Sequence, residues 1–424
     1  MPRSNNARLA SYAALIAALT ASIVLHVLPA WDAKAFDLSA LLVGAAVVQR
    51  EGFSHLYEHD PALYNRATSP PFERAARELG FDDVPTPFVY APLIAVLVEP
   101  LTSVPYRWVA RAWCAASALC IALGLLLGIR YFAPELVRTP LAFAGLALAL
   151  SLFEPIRYAL WLGQTTPLVF LCVMFALVAA ARDRPLSAGV ALAVPAFVKL
   201  TPVLFVLPWL WRRRYRAAAA FACALGVLAL GSVVLAGAGT NLTFVERVRG
   251  IGRETVVAYN NQGLAALLER VHQPASEVMR WKIVPLSVAT RLAVGACVTL
   301  MVLVAGCALR HACDRDRERL AFAVTTTVVL LAPSMAWTHY SLFLVPPLLG
   351  CVELALRAGR RWLGVTAGFG ALAMGSRPLL LDHIEHHRSP VTVIVGPTIA
   401  ALILYALAIA VARLRAPAPS VDKP

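Results

Sequence analysis

A chain of 424 residues that is 59% hydrophobic and 15% charged, with a mean hydropathy of +0.70, falls outside the soluble class, where about 25% of residues are charged. Its formal charge of +14 does not point to nucleic acid, because no basic groove interleaved with aromatics appears. The arginines instead gather in short breaks between apolar runs, at Arg212 to Arg214 and Arg216, at Arg310, Arg315, Arg317 and Arg319, at Arg357, Arg360 and Arg361, and at Arg413 and Arg415, which is the pattern that orients membrane proteins.

Apolar segments follow one another at 9–29, 88–104, 108–129, 139–156, 164–181, 186–210, 216–237, 285–309, 320–335, 339–356, 361–378 and 391–413. In lipid each backbone amide must be satisfied within its own segment, so these runs predict helices. The short alternating segments of a spanning β-barrel are missing. The expected fold is therefore an all-α integral membrane protein of about 12 spans, a single polytopic domain over 1–414 with a disordered cytoplasmic tail at 415–424. Twelve crossings put both termini and the arginine-rich breaks in the cytoplasm. The eight cysteines lie in apolar runs or, for Cys313, in an arginine-rich break, which gives no disulfide framework. Arg3 and Arg8 precede a first run too long for a cleaved signal core, so a retained anchor is expected.

Two polar segments interrupt the pattern on the outer side, 30–87 and 238–284. The first holds nine acidic and five basic residues. Within it Phe36–Val48 reads as an amphipathic helix along the membrane surface, with Leu38, Leu41, Leu42 and Ala45 on one face, and 58–87 reads as an irregular loop.

A membrane enzyme acting on lipid-linked substrates needs a base for the acceptor hydroxyl and cations for a leaving phosphate. Asp37, just past the first span, fits the first need; its plain alternative is a helix-capping or solvated acid, and Asp32 competes with it. Lys199 stands inside a span between Pro195 and Pro202, so it should face protein or a polar cavity through a kinked helix, unless it pairs or snorkels. Glu154 and Arg157, three apart on one helical face, can pair with each other. His339 lies at a helix junction, where a structural role is the plain reading. His383, His386 and His387 have a spacing that permits a metal, but no carboxylate–histidine motif surrounds them, and no metal is expected. Asn241-Leu242-Thr243 is a glycosylation sequon, meaningful only in a eukaryotic secretory pathway. No nucleotide-binding or nucleophile-elbow motif stands in a fitting context.

In order, these pieces resemble the polyprenyl-phosphate-mannose-dependent α-1,2-mannosyltransferases, which have the GT-C membrane fold. The resemblance begins at Phe36-Asp37-Leu38-Ser39, followed by Gly52 and Leu56-Tyr57. It continues through Phe88-Val89-Tyr90-Ala91-Pro92-Leu93, Gly163-Gln164, Lys199-Leu200-Thr201-Pro202, Asn261-Gln262-Gly263-Leu264 with Arg270, and Ser334-Met335-Ala336-Trp337-Thr338-His339. Ala91 replaces a proline of the family pattern, and Gly263 a serine. The resemblance places the catalytic acid on Asp37 and the site histidine on His339. Tyr90, Gln164, Lys199, Asn261, Gln262 and Arg270 match motif positions and are candidate substrate- or donor-phosphate-binding residues.

The resemblance implies an inverting transfer of a sugar, mannose in the resembling family, from a polyprenyl-phosphate donor to a glycolipid or glycan acceptor. It would occur on the outer face of a bacterial cytoplasmic membrane, among membrane lipids and without a cofactor. A lipid or solute transporter would show broken helices at matching positions in two halves. A non-catalytic subunit of envelope assembly would tolerate Asp37→Asn. One tension stands in this reading: strict alternation of twelve spans carries Gly163-Gln164 to the cytoplasmic end, away from Asp37. Either some short segments do not cross, or the Gly-Gln pair serves packing.

Overall fold

In a computed structural model, residues 3–58, 69–81, 86–271, 273, 281–375 and 397–413 are described. They are overwhelmingly helical, as the apolar runs require. Among them five helices are long and apolar enough to cross a membrane, and six if Ala142–Leu150 and Glu154–Trp161, bent by 49° at Ser151–Phe153, count as one span. Several other apolar segments form helices of 10–17 residues. Apolar side chains such as Val227, Leu230 and Val234 stay exposed along the long helices, which suits lipid as their surrounding.

The centre is built on the Thr166–Ala181 helix, which packs between Tyr106–Phe132 and Pro185–Val198. Its Phe170, Met174 and Leu177 are fully buried. Beside them Phe205 stacks on Phe322 at 4.8 Å and on Phe343 at 5.8 Å, so the break after Lys199 and the stretch after His339 share one aromatic core.

Three expectations change in detail. The Phe36–Glu51 helix is covered on all sides, with Leu38 through Val47 buried. Its run of Leu, Val and Ala leaves no polar face between Ser39 and Gln49, so flanking segments enclose it. One of them is Pro70–Glu78, a helix inside the segment read as irregular. Prolines at its start cost no hydrogen bond, and it buries Phe72, Ala75 and Ala76 against its neighbour. Finally, the span around Lys199 does not bend but stops. The helix ends at Val198, Lys199 is extended (φ −139°, ψ 126°), and the chain resumes as a 3-10 turn over Thr201–Val206.

The Pro92–Val98 helix and the 3-10 turn Glu99–Ser103 pack along Phe36–Glu51. Together they reach only about 20 Å at helical rise, short of the ~30 Å of a bilayer core. With that segment not crossing, Tyr106–Phe132 leads away and the bent pair leads back, so Gln164 returns to the end where Asp37 lies.

A second polar region forms at the same end. At Gly237 (φ 80°, ψ 156°) the Tyr215–Ile251 helix breaks. Asn241 donates to the freed carbonyls of Gly237 at 2.8 Å and Ser232 at 3.1 Å, so this residue of the sequon is engaged in the kink. Beyond it Glu254–Val257 pairs antiparallel with Lys282–Pro285, a two-stranded sheet among described residues that are otherwise mostly helical. Asn261 bridges to Trp337. The three histidines at 383, 386 and 387 and the 415–424 tail lie outside the described residues.

Candidate active site

Where the Phe36–Glu51 helix begins, Glu154–Trp161 ends and the chain breaks at Lys199, a cavity of about 870 Å³ opens, within the usual range for small-molecule sites. Asp37, Tyr90, Gln164, Lys199 and His339 all line it.

Asp37 is held from the backbone outward. Ala35 takes a left-handed conformation (φ 43°) that starts the helix, and the Asp37 amide donates to the Leu162 carbonyl at 2.9 Å. That contact brings the turn at Gly163 against the helix start. Gly163 has φ 66°, and a Cβ on it would stand 2.9 Å from the Cβ atoms of both Ala35 and Leu38. Only glycine meets both conditions. Gln164, 7% exposed, then donates from Nε2 to Asp37 Oδ2. Its Oε1 accepts from Lys199 Nζ at 2.9 Å, and the same ammonium donates to Thr166 Oγ1 at 3.0 Å. Lys199 also sits 4.7 Å from the ring centre of Tyr340. The extended backbone at Lys199 is what turns its side chain into this network.

His339 is 1% exposed overall and reaches the cavity wall. Its ring lies 6.5 Å from Tyr158, nearly parallel, and 4.7 Å from Tyr340, edge-on. The Tyr158 hydroxyl accepts from Asn260 Nδ2 at 2.9 Å. Tyr90 is positioned by its own carbonyl, which accepts from the Tyr57 hydroxyl at 2.6 Å. Burial pushes the Tyr57 phenol well above its usual range, so it remains a donor. This bond connects the Leu-Tyr and Phe-x-Tyr segments that the sequence separates by 33 positions.

Three candidates stand behind the wall instead. Arg270, 2% exposed, donates from Nη1 to the carbonyls of Ala258 at 2.7 Å and Asn261 at 2.6 Å. Burial lowers its pKa to about 10, so it remains cationic near neutrality. Asn261 donates to the Val256 and Ser334 carbonyls and accepts from the Ala336 amide at 2.9 Å. Gln262 donates from its backbone N–H to the Ala336 carbonyl at 2.6 Å and accepts at Oε1 from the Thr398 hydroxyl at 2.8 Å. The three close the 258–263 turn onto 334–338, which sets Tyr259, Asn260, Trp337 and His339 at the cavity. Gly263 belongs to the same closure, since a Cβ there would run into the Pro333 carbonyl oxygen.

The structure also adds wall residues that motif reading passed over. Arg157 and Glu154 pair as their spacing suggests, at 2.8 Å and 2.9 Å, and both face the cavity. Tyr158, Asn260, Trp281 and Tyr340 complete the rim, with Trp281 stacked on Trp337 at 5.3 Å. Asn260 and Tyr340 each adjoin a motif residue, which was the available signal; Trp281 carried none. Asp32 pairs with Arg111 at 2.7 Å and borders a separate hollow of about 250 Å³. Among the described residues no cluster of three or more His, Cys, Asp or Glu could hold a metal.

Known proteins resemble this chain in sequence. The profile of glycosyltransferase family 87 matches residues 88–337, an interval that contains Gln164 and Lys199, ends two residues before His339 and begins well after Asp37. A polyprenol-phosphate-mannose-dependent alpha-(1-2)-phosphatidylinositol mannoside mannosyltransferase of Mycolicibacterium smegmatis is 26% identical over 71% of this chain and 69% of its own length. A polyprenol-phosphate-mannose-dependent alpha-(1-2)-phosphatidylinositol pentamannoside mannosyltransferase of Mycobacterium tuberculosis is 27% identical over 72% of this chain and 67% of its own. With well over half of its length matched by the family profile, the chain belongs to glycosyltransferase family 87.

Proposed function

We propose that this enzyme moves mannose, with inversion, from polyprenyl-phosphate mannose to a glycolipid or glycan acceptor at the outer face of a bacterial cytoplasmic membrane. The donor follows from the names of the two mycobacterial relatives, and a phosphatidylinositol mannoside is the acceptor class those names suggest. The observation that carries the reading is the Asp37–Gln164–Lys199 chain at the cavity wall. It presents a half-buried carboxylate, oriented by an amide and charge-balanced by an ammonium, to a space large enough for a sugar.

In this mechanism Asp37 takes the proton of the acceptor hydroxyl as that oxygen attacks the anomeric carbon. The bond from that carbon to the phosphate oxygen breaks, and polyprenyl phosphate departs with the electron pair. A single displacement needs one base and no covalent sugar–enzyme intermediate. The phosphate is already a good leaving group, so cavity cations need only stabilise its charge. Of the motif residues at the wall, His339 is the one left for that role, since Lys199 balances Asp37 through Gln164. Arg270, Asn261 and Gln262 contribute by holding the 258–263 turn.

The test is transfer of labelled mannose from polyprenyl-phosphate mannose by purified protein, wild type against Asp37→Asn. The expected result is transfer by the wild type and a loss of at least about 100-fold in the variant, with membrane insertion unchanged. A folded wild type that transfers from no prenyl-phosphate sugar overturns the reading.

A further inference from the structure

We propose that Arg157, held by Glu154, is the cation that receives the phosphate of the lipid-linked donor, and that Lys199 serves the base instead. The proposal rests on the donor reading above and assigns the phosphate end of the same cavity.

Among the described residues, the lysine and arginine side chains that line the cavity are Arg157 and Lys199. An ammonium has three donors. Lys199 directs two of them to Gln164 and Thr166, and the ring of Tyr340 covers it further. It is also one amide removed from the Asp37 carboxylate, so a phosphate bound there would stand beside a like charge. Lys199 is therefore placed to orient and balance Asp37.

Arg157 has the opposite environment. Its side chain is 50% exposed while that of Glu154 is 9% exposed. Glu154 accepts from Nε and Nη2, which fixes the plane of the guanidinium. Nη1 makes no hydrogen bond among the described residues and remains for a ligand. A planar fork held in advance suits a phosphate oxygen better than a mobile ammonium does. Because the carboxylate is covered and the guanidinium is not, an approaching anion meets the cation first.

The spacing agrees with a single displacement, in which the attacking and leaving oxygens occupy opposite faces of the anomeric carbon. Asp37 is tied to Leu162. Arg157 lies five residues earlier on that helical segment, about 7.5 Å along its axis at 1.5 Å per residue. Tyr158, next to Arg157, stacks on His339, which packs this helical segment against the His339 side of the cavity. The base end and the phosphate end are thus separated by roughly the thickness of a sugar.

The experiment measures binding of a polyprenyl phosphate and of the uncharged polyprenol of equal chain length to the purified protein in lipid nanodiscs. The wild type should prefer the phosphate. The double variant Glu154→Gln/Arg157→Gln replaces the ion pair by two amides and leaves no lone buried charge. It should lose at least about tenfold in affinity for the phosphate lipid, on the scale of removing one charge-assisted contact, with polyprenol affinity unchanged. Lys199→Met should keep the preference. A double variant that retains the wild-type preference, or a Lys199→Met variant that abolishes it, overturns the assignment. If the double variant loses both lipids through misfolding, Arg157→Lys decides. It keeps the charge and loses the fork, so phosphate affinity should fall at least about threefold with polyprenol unaffected, and an unchanged ratio overturns the proposal. A wild type that transfers mannose while the double variant keeps its preference leaves the transferase reading intact and removes only Arg157.

Discussion

Gln164 donates to Asp37 across 127 positions of sequence and accepts Lys199 on the other atom of the same amide. The network fixes the orientation of that amide, since an ammonium can only donate and a carboxylate can only accept. Gln164→Leu removes both contacts without adding a charge. A hydrogen bond to a charged group contributes about 1.5–3 kcal/mol, so kcat should fall by about 10- to 100-fold. The KM for the donor should change less than about threefold, because the amide serves the base rather than the phosphate. Steady-state kinetics with labelled donor checks both numbers, and a change confined to KM would contradict the role given to Gln164.

The two acids near the first span should differ sharply. Asp37→Asn should reduce transfer by about 10²- to 10⁴-fold, the usual contribution of a positioned general base. Asp32→Asn removes an exposed ion pair with Arg111, a contact of about 0–1 kcal/mol, and should leave transfer within about twofold. Side-by-side assays in the same membranes distinguish catalytic loss from poor expression.

Gly163→Ala should destabilise the protein by about 2–4 kcal/mol, combining the left-handed backbone cost with overpacking against Ala35 and Leu38. Gly226→Ala is the control, because a Cβ there meets open space and the helix gains about 0.5–1 kcal/mol. Thermal midpoints in detergent should therefore move in opposite directions, and equal shifts would refute the close approach of the Gly163 turn to the Asp37 helix.

Arg270→Met deprives two buried carbonyls of their donor, at about 1–3 kcal/mol each. The expected outcome is a lowered thermal midpoint, with discrimination between polyprenyl phosphate and polyprenol preserved in the folded fraction. Loss of that discrimination at an unchanged midpoint would mean that Arg270 binds phosphate after all.

Gly263→Ser restores the residue usual in the resembling family, yet here it should cost about 1–3 kcal/mol by overpacking, since Pro333 closes the space. A neutral or raised midpoint would show that the Pro333 segment adapts freely.

Much of this was legible in composition and order. Apolar runs require helices in lipid, the arginine-rich breaks mark their ends, and motif order led to the family that the profile match supports. The transporter and subunit alternatives lose ground to that membership. Less legible were the elements whose character depends on neighbours. The Phe36–Glu51 helix reads as one-faced, but surrounding segments cover it on every side. Nine residues at Pro70–Glu78 become a helix because Phe72, Ala75 and Ala76 find a surface to bury against.

The sequence by itself determined that this chain is a helical membrane glycosyltransferase, and it singled out Asp37, Gln164 and Lys199 as separate points along the chain. Only the tertiary structure decided that they form one connected group. Whether Gln164 meets Asp37 depends on which short segments run alongside another helix instead of crossing, and hydropathy does not report that. The packing of Pro92–Ser103 along the Phe36–Glu51 helix and the bend before Glu154 set that parity. The same packing separates residues that face the cavity, such as Arg157 and His339, from those that hold its wall, such as Arg270 and Asn261. Local motifs specify residue types at a spacing, but the direction each side chain faces is set by contacts that are remote in sequence.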